Sequence, residues 1–362
     1  MRLSPRAERL RSDFLNWTLR TNNQGIKRDY RLYNQFFTTL PEPARFWELL
    51  ASSRLAGQWG PHYKFMGAAK LLLLAGDPHP VRELYPELSC GGPPSQLRPG
   101  ELFQEFCEQN WEHIIEIGCR RDVQINKVGR CALFVPLFAK AFQLGGCRPL
   151  GIVEVGSSGG FGLLWSHLNY DYGRRGQVGG NPEALTLSCR VFGGKAFAIP
   201  NMLPPAASQV GLERDILDLN QEDDALWLMS LVAPNNLLGQ AQVRAATALS
   251  RRLNIEIRSG CVLKTLEPAF TEIPPGATCL VFHSLTTHHL HADGKLAQYE
   301  DLLRRLSYKR PFFQATLEWG SYPEDYGKSI PLRLVKWENG RLTSAAYGVT
   351  DPAADGRWVH SA

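Results

Sequence analysis

Apolar residues recur at helical spacing through the first 144 residues, then give way to short runs rich in β-branched side chains. The stretches ARFWELLASSRLAG, KFMGAAKLLLLAG, GELFQEFCEQNWEHIIEIG and VGRCALFVPLFAKAFQLGG predict helices with Trp47, Leu50, Leu71, Phe106, Ile114, Leu133 and Phe138 on buried faces. Gly76, Gly118 and Gly145 mark their stops, and the Pro- and Gly-rich DPHPVRELYPELSCGGPPSQLRPG reads as an irregular connection. Beyond it, GIVEV, ALTLSCRVF, QVGLE, NIEIRS, ATCLVFHS, PFFQATLEW and PLRLVKWE predict strands, each followed by Gly, Pro, Asp or Ser. Helix-length stretches intervene, among them DGKLAQYEDLLRRLSY. Strands alternating with helices favour a mostly parallel sheet covered on both faces, with GIVEV as its first strand. The expected organisation is a mainly helical N-terminal domain at 1–145 and an α/β domain at 146–362. Residues 166–210 have no crossover helix beyond the one expected to start near Gly160, so they read as an insertion with a hairpin around LTLSCRVFGGKAF.

Charge and cysteine usage narrow the function classes. The 40 basic and 35 acidic residues leave a net charge of +5, spread in short pairs such as Arg120–Arg121 and Arg174–Arg175. Neither a nucleic-acid partner nor a charged membrane is implied by so small and dispersed an excess. Eight cysteines occur without CxxC spacing, and Cys131 and Cys279 lie in apolar runs, the pattern of buried thiols in a reducing compartment. Met1–Tyr30 is polar and basic with no apolar centre, and KLLLLAG is too short to cross a bilayer. A cytoplasmic protein with no membrane partner is expected.

The stretch GIVEVGSSGGFGLLW, residues 151–165, carries the main candidate chemistry. It reads as a buried strand, a turn without bulky side chains and the start of a helix, an arrangement that can aim backbone N–H groups at a ligand. Its spacing is E-x-G-x-x-x-G, with Ser158 where the dinucleotide-binding fingerprint has its middle glycine. On local sequence a cofactor turn and a structural core turn fit equally well.

Six segments taken in order point further. QINKVGRCALF at Gln124–Phe134, VEVGSSGGFGLLW, GLERDILD at Gly211–Asp218, VFHS at Val281–Ser284, PLRLVKW at Pro331–Trp337 and DGRW at Asp355–Trp358 resemble, over nearly the whole chain, the bacterial family termed domain of unknown function 2332. That family is similar to S-adenosylmethionine-dependent methyltransferases. The resemblance implies an α/β fold, with a Rossmann-like methyltransferase-type domain preceded by a mainly helical N-terminal domain, and S-adenosyl-L-methionine as cofactor. The family's acid-glycine motif falls on Glu154, Gly156 and Gly160, with Ser157 and Ser158 as hydroxyl and backbone donors between them, and Gly162 stands where asparagine is common. Its G-x-D-L-N-P-x-D motif falls on Gly211, Glu213, Asp215 and Asp218, the asparagine and proline positions being Asp215 and Ile216. By the resemblance, Glu213 would end the second main strand and accept hydrogen bonds from the cofactor's vicinal ribose hydroxyls, two donors suited to one carboxylate.

Other positions follow from the same resemblance. His283 and Ser284 match the family's VFHS, after a central strand where an open parallel sheet presents its pocket, so His283 would orient or deprotonate an acceptor that Ser284 positions. Asn126 and Arg130 match a polar N-E-V-x-R element in which Lys127 replaces the acid; they would close over the cofactor, Arg130 clamping a carboxylate, or else form an interface network between domains. Cys261 stands where the family has an acid facing adenine, a contact that Ser259 or the backbone would have to supply. Arg357 and Trp358 read as C-terminal docking residues, and Glu318 as able to reach the pocket from another strand end. His288, His289 and His291 cluster, but adjacent histidines point apart on a helix or strand, so no metal site is expected. The resulting expectation is a methyltransferase acting on a small molecule. A noncatalytic cofactor-binding protein and an interaction protein with a degenerate pocket are the competing readings.

Overall fold

The computed structural model describes residues 2–19, 28–89, 98–193, 199–320, 328–351, 356 and 358–361. Cys90–Leu97 of the irregular connection, part of the expected hairpin (residues 194–198) and Arg357 lie outside the described residues, as does the Trp358 side chain. The chain forms two compact units, one of residues 1–125 and 220–244, the other of residues 126–219 and 245–362.

The first unit is helical. Its helices include Pro5–Leu19, Arg31–Thr38, Pro43–Ser52, Pro61–Leu74, Pro99–Gln109, Trp111–Arg120 and Glu222–Ser230. Four of them open with proline in the first turn, where the missing N–H would have no helical partner anyway. Their apolar stripes meet in an aromatic core of Phe14, Phe36, Phe37, Trp47, Phe65 and Phe103, with Phe36 stacked on Phe103 at 4.4 Å between ring centroids. Leu73, not Leu71, is the leucine that its helix buries fully.

The second unit is built on a nine-stranded sheet. Its strands are β1 (Leu150–Val155), β5 (Arg190–Gly193), β6 (Ala206–Glu213), β7 (Ile257–Ser259), β8 (Thr278–Ser284), β9 (Phe312–Leu317), β10 (Ile330–Glu338), β11 (Arg341–Thr350) and β12 (Trp358–Ser361). They lie in the order β5-β12-β11-β10-β9-β8-β1-β6-β7. The five strands from β7 to β9 are parallel, β10, β11 and β12 alternate in direction, and β5 is parallel to β12. The chain is thus a mixed α/β protein, helical first and then mostly parallel sheet with helices.

β1 is buried along its whole length, as a central parallel strand must be. Val153 and Val155 face a core with Leu266, Phe270 and Leu303, which turns Ile152 and Glu154 to the opposite face. There the neighbour of Glu154 in β8 is Phe282, whose ring packs on Phe134 and Phe138 of the helix Cys131–Leu144.

Two expectations about residues 160–193 are corrected. The segment after Gly160 is a seven-residue 3₁₀ helix, Phe161–His167, instead of an α-helical crossover. Phe161, Leu163, Leu164 and Trp165 are buried while His167 at the end is exposed, so the run has no continuous solvent stripe along which a longer amphipathic helix could continue. LTLSCRVF does not fold back on itself either. Thr186–Ser188 (β4) pairs in parallel with Asn169–Asp171 (β2) in a three-stranded sheet completed by Gln177–Val178 (β3), whereas β5 pairs with β12 at the sheet edge.

Candidate functional site

Among the parallel strands the spatial order β7-β6-β1-β8-β9 is third, second, first, fourth, fifth along the chain. Chain order reverses between β1 and β8, and in open α/β sheets ligands bind beyond the C-terminal ends of strands at such a point. The turn after β1 lies there. Gly156, Ser158 and Gly160 all have positive φ, and a Cβ on Gly156 would stand 2.4 Å from Thr286 Oγ1. The turn is held from within: Gly156 and Ser157 donate backbone N–H bonds to the Leu212 carbonyl at 2.8 and 3.2 Å, and Gly160 donates to the Ser157 carbonyl at 2.8 Å. The expected fan of N–H groups aimed at a ligand is therefore largely committed inside the fold.

The fourth donor adds a side-chain partner at the end of β6. Ser158 N–H donates to Glu213 Oε2 at 2.7 Å, while Arg214 N–H donates to Glu213 Oε1 at 2.8 Å. Burial raises the Glu213 carboxyl above its ordinary range and these backbone donors counter part of that rise. The Asp215 backbone N–H is a third donor, and since a carboxylate offers about four lone-pair directions, about one is left to accept from a ligand.

Glu154 is more unusual. Its side chain is 5% exposed, and burial first, then Glu213, push its carboxyl well above the carboxylate range against the pull of Arg130. Among the described residues Glu154 Oε2, Ser157 Oγ and Ser158 Oγ are buried without a hydrogen-bond partner. Buried polar groups are normally satisfied, so three such atoms around one turn mark a place suited to polar ligand groups.

The segment before the helix Cys131–Leu144 borders the turn. Asn126 Nδ2 donates to the Ser157 carbonyl at 2.8 Å, and Arg130 Nη1 donates to Ser284 Oγ at 3.0 Å at the end of β8. The structure thus brings Glu154, Gly156, Ser157, Ser158, Gly160, Glu213, Asn126, Arg130 and Ser284 to one end of the sheet.

His283 adjoins them but faces inward, 2% exposed. Trp337 Nε1 can only donate, and it does so to Gln314 Oε1 at 2.8 Å. The Gln314 amide nitrogen is thereby turned to His283 Nε2 at 3.0 Å, which makes Nε2 the acceptor and puts the ring proton on Nδ1, 2.7 Å from Glu318 Oε1. Both imidazole nitrogens are engaged. Glu318 also accepts from Thr286 N at 2.8 Å and Thr287 Oγ1 at 2.8 Å. Burial pushes the Glu318 carboxyl up, but His283 and the threonine donors outweigh it and hold the group below the usual range. Thr286, fixed in this way, is the residue that packs on Gly156. Sequence reasoning missed Gln314, Thr286 and Thr287; ATLEW had singled out only Glu318.

Elsewhere the histidine cluster falls on the six-residue helix Thr287–Ala292, with His288 buried beside Trp319 and pushed down to about 4 by burial and by His289. Among the described residues no three His, Cys, Asp or Glu side chains are grouped so as to hold a metal. Cys261 precedes the helix Val262–Thr271, and the Cys131 and Cys279 thiols are buried. A cleft of about 560 Å³ lined by Ser166, His167 and Leu203–Gln209 lies at the start of β6, the opposite end from Glu213, and carries no cluster of reactive side chains. No described helix is long and apolar enough to cross a membrane.

The chain belongs to the family domain of unknown function 2332, described as an uncharacterized protein conserved in bacteria, whose model matches residues 47–360. No curated protein and no solved structure matches it.

Proposed function

We propose, with that family membership as the premise, that the chain is an S-adenosylmethionine-dependent methyltransferase acting on a small molecule, its second unit being a Rossmann-like, methyltransferase-type domain. The observation that carries the reading is the Glu213 carboxylate, tied by the Ser158 N–H across the tips of β6 and β1 where the strand order reverses. Glu213 keeps about one lone-pair direction for a ribose hydroxyl beyond its three backbone donors, and the buried Glu154, Ser157 and Ser158 have polar atoms to offer the methionine part. When bound, the cofactor supplies an electrophilic methyl group. The chain's own residues bind and align: Asn126 fixes the Ser157 carbonyl, Arg130 presents a planar fork for a carboxylate, and Ser284 orients the acceptor beside it. His283 acts as a positioning residue, since both its nitrogens are committed to Glu318 and Gln314. The buried thiols suit a reducing, cytoplasmic setting.

The engaged turn amides and the engaged His283 also support a second reading, a noncatalytic cofactor-binding protein. Calorimetry with S-adenosylmethionine and S-adenosylhomocysteine on the parent and on Gly156→Leu tests the site. Binding by the parent and its loss in the variant is the expected result; a folded parent that binds neither ligand overturns the proposal, and equal binding by both proteins moves the cofactor away from the turn. Substrate-dependent formation of S-adenosylhomocysteine then separates enzyme from binder.

A further inference from the structure

The outer four strands of the large sheet, β10, β11, β12 and β5, are covered on one face and open on the other among the described residues. Leu332, Leu334, Ala346 and Val359 point to the covered face and are buried. The alternate positions turn the other way. Register sets Val349 of β11 beside His360 of β12, and His360 beside Phe192 of β5, in one row across the sheet. Two residues along, Arg333 of β10 pairs with Tyr347 of β11, and Arg190 lies on the same side of β5 as Phe192. Arg333, Tyr347, His360, Phe192 and Arg190 are all exposed, Tyr347 by 39% and Phe192 by 49%. A wet sheet face is ordinarily polar. This one carries two large rings, with the Arg333 guanidinium 5.8 Å from the centroid of the Tyr347 ring. Its charged side chains at these positions are two arginines, next to one histidine, and none is a carboxylate.

We propose that this open face binds a single-stranded nucleic acid, its bases stacked on Tyr347 and Phe192 with His360 between them and its phosphates held by Arg190 and Arg333. Rings interleaved with guanidiniums suit such a strand because every base has a π-face and every linkage a negative charge. Strand spacing and rise put Tyr347 and Phe192 about 12 Å apart, so each ring meets a base of its own. A duplex hides its base faces inside the stack and is a poor fit. A second copy of the same face fits worse, since a two-fold contact would press arginines against arginines with no carboxylate to pair them. The basic residues are dispersed along the sequence, and it is the pairing of β10 with β11 and of β12 with β5 that gathers these. None of them belongs to the cluster at the tips of β1, β6 and β8, so nucleic-acid binding goes beyond cofactor binding and stands or falls separately from it.

The test is fluorescence anisotropy of the full chain with end-labelled RNA of mixed sequence and about twelve nucleotides, the same sequence as single-stranded DNA, and its duplex. The single strands are expected to bind at about 50 mM salt and the duplex about tenfold or more weaker. RNA bound more tightly than DNA adds a contact to the 2′-hydroxyl, and equal binding assigns the affinity to bases and phosphates; either supports the proposal. Tyr347→Ala and Phe192→Ala each weaken binding about tenfold, whereas Tyr347→Phe keeps it. The logarithm of the dissociation constant rises with that of salt with a slope of about 1.4 for two phosphates, and Arg333→Gln lowers the slope by about 0.7. These exposed positions leave the fold intact, as circular dichroism of each variant checks. A folded parent that binds neither single strand overturns the proposal, as does a duplex bound as tightly as the single strands or full affinity in the double variant Tyr347→Ala with Phe192→Ala. A parent dimer in analytical ultracentrifugation that Tyr347→Ala dissociates also overturns it, because a second copy then covers the face.

Discussion

A carboxyl that folding strips of water keeps its proton to higher pH than the same group in the unfolded chain. For Glu154, whose folded value is raised, the native state holds the extra proton above the ordinary carboxylate range, so stability falls as pH rises from there toward the folded value. The slope is at most about 1.4 kcal/mol per pH unit. Glu213 contributes in the same direction and keeps its share. Glu154→Gln is expected to remove one proton's worth of slope and to be more stable than the parent at neutral pH, as read from urea unfolding midpoints at several pH values. A variant with the parent's slope would show that Glu154 is ionised in the fold. At this scale much was legible: the positions of Glu154, Gly156 and Glu213 stood in two short motifs. The setting of His283 was not, because its tautomer depends on Gln314, which in turn depends on Trp337 in a strand 23 residues further on.

The elements around the site are held by pairings remote in sequence. Gly356, just before β12, meets Gly129 so closely that a Cβ on it would stand 1.9 Å from the Gly129 carbonyl oxygen, and its φ is +83°. Gly129 neighbours Arg130, whose guanidinium bonds to Ser284. Gly356→Ala should therefore strain its own backbone and push the Val128–Arg130 turn away from the end of β8. About 2 kcal/mol or more of stability is expected to be lost, together with cofactor affinity, measured by denaturation and calorimetry on the same preparation. Unchanged values for both would mean that the crossing relaxes freely. Local pattern gave β1, β6, β8, β9 and β10 because each is a compact apolar run. It failed where the partner decides the structure: nothing within TLSCRVF says that β4 joins β2 while β5 joins β12. The 3₁₀ form of Phe161–His167 was likewise hidden, since its large apolar residues fill four of the first five positions and show no helical period.

Over the whole molecule, periodicity tells where helices lie but not which core each one serves. Cys131–Leu144 reads like the helices before it, yet it packs on β8, β9 and β10, while Glu222–Ser230, far along the chain, packs on Pro61–Leu74. Trp227 shows how deeply that later segment is set into the helical unit. It is fully buried, its ring lies 3.1 Å from where a Cβ on Gly67 would be, and its Nε1 donates to the Asp122 carbonyl at 3.0 Å. Arg121 pairs with Asp224, the Asn235 side chain accepts from Leu32 N at 3.0 Å, and the buried Lys70 donates to the Val232 carbonyl at 2.9 Å while pairing with Glu87. A fragment ending at Ile125 would lose all these partners, leaving the Lys70 ammonium with one carboxylate and an open apolar face where Trp227 belonged. Losing a buried tryptophan alone costs about 3–5 kcal/mol, comparable to the whole stability of a small domain, about 5–15 kcal/mol. Residues 1–125 expressed alone are therefore expected to lack cooperative unfolding and near-ultraviolet circular dichroism. The same fragment joined by a flexible linker to residues 220–244 should regain both. A cooperative, fully folded 1–125 fragment would show instead that the helical unit closes its core without the returning segment.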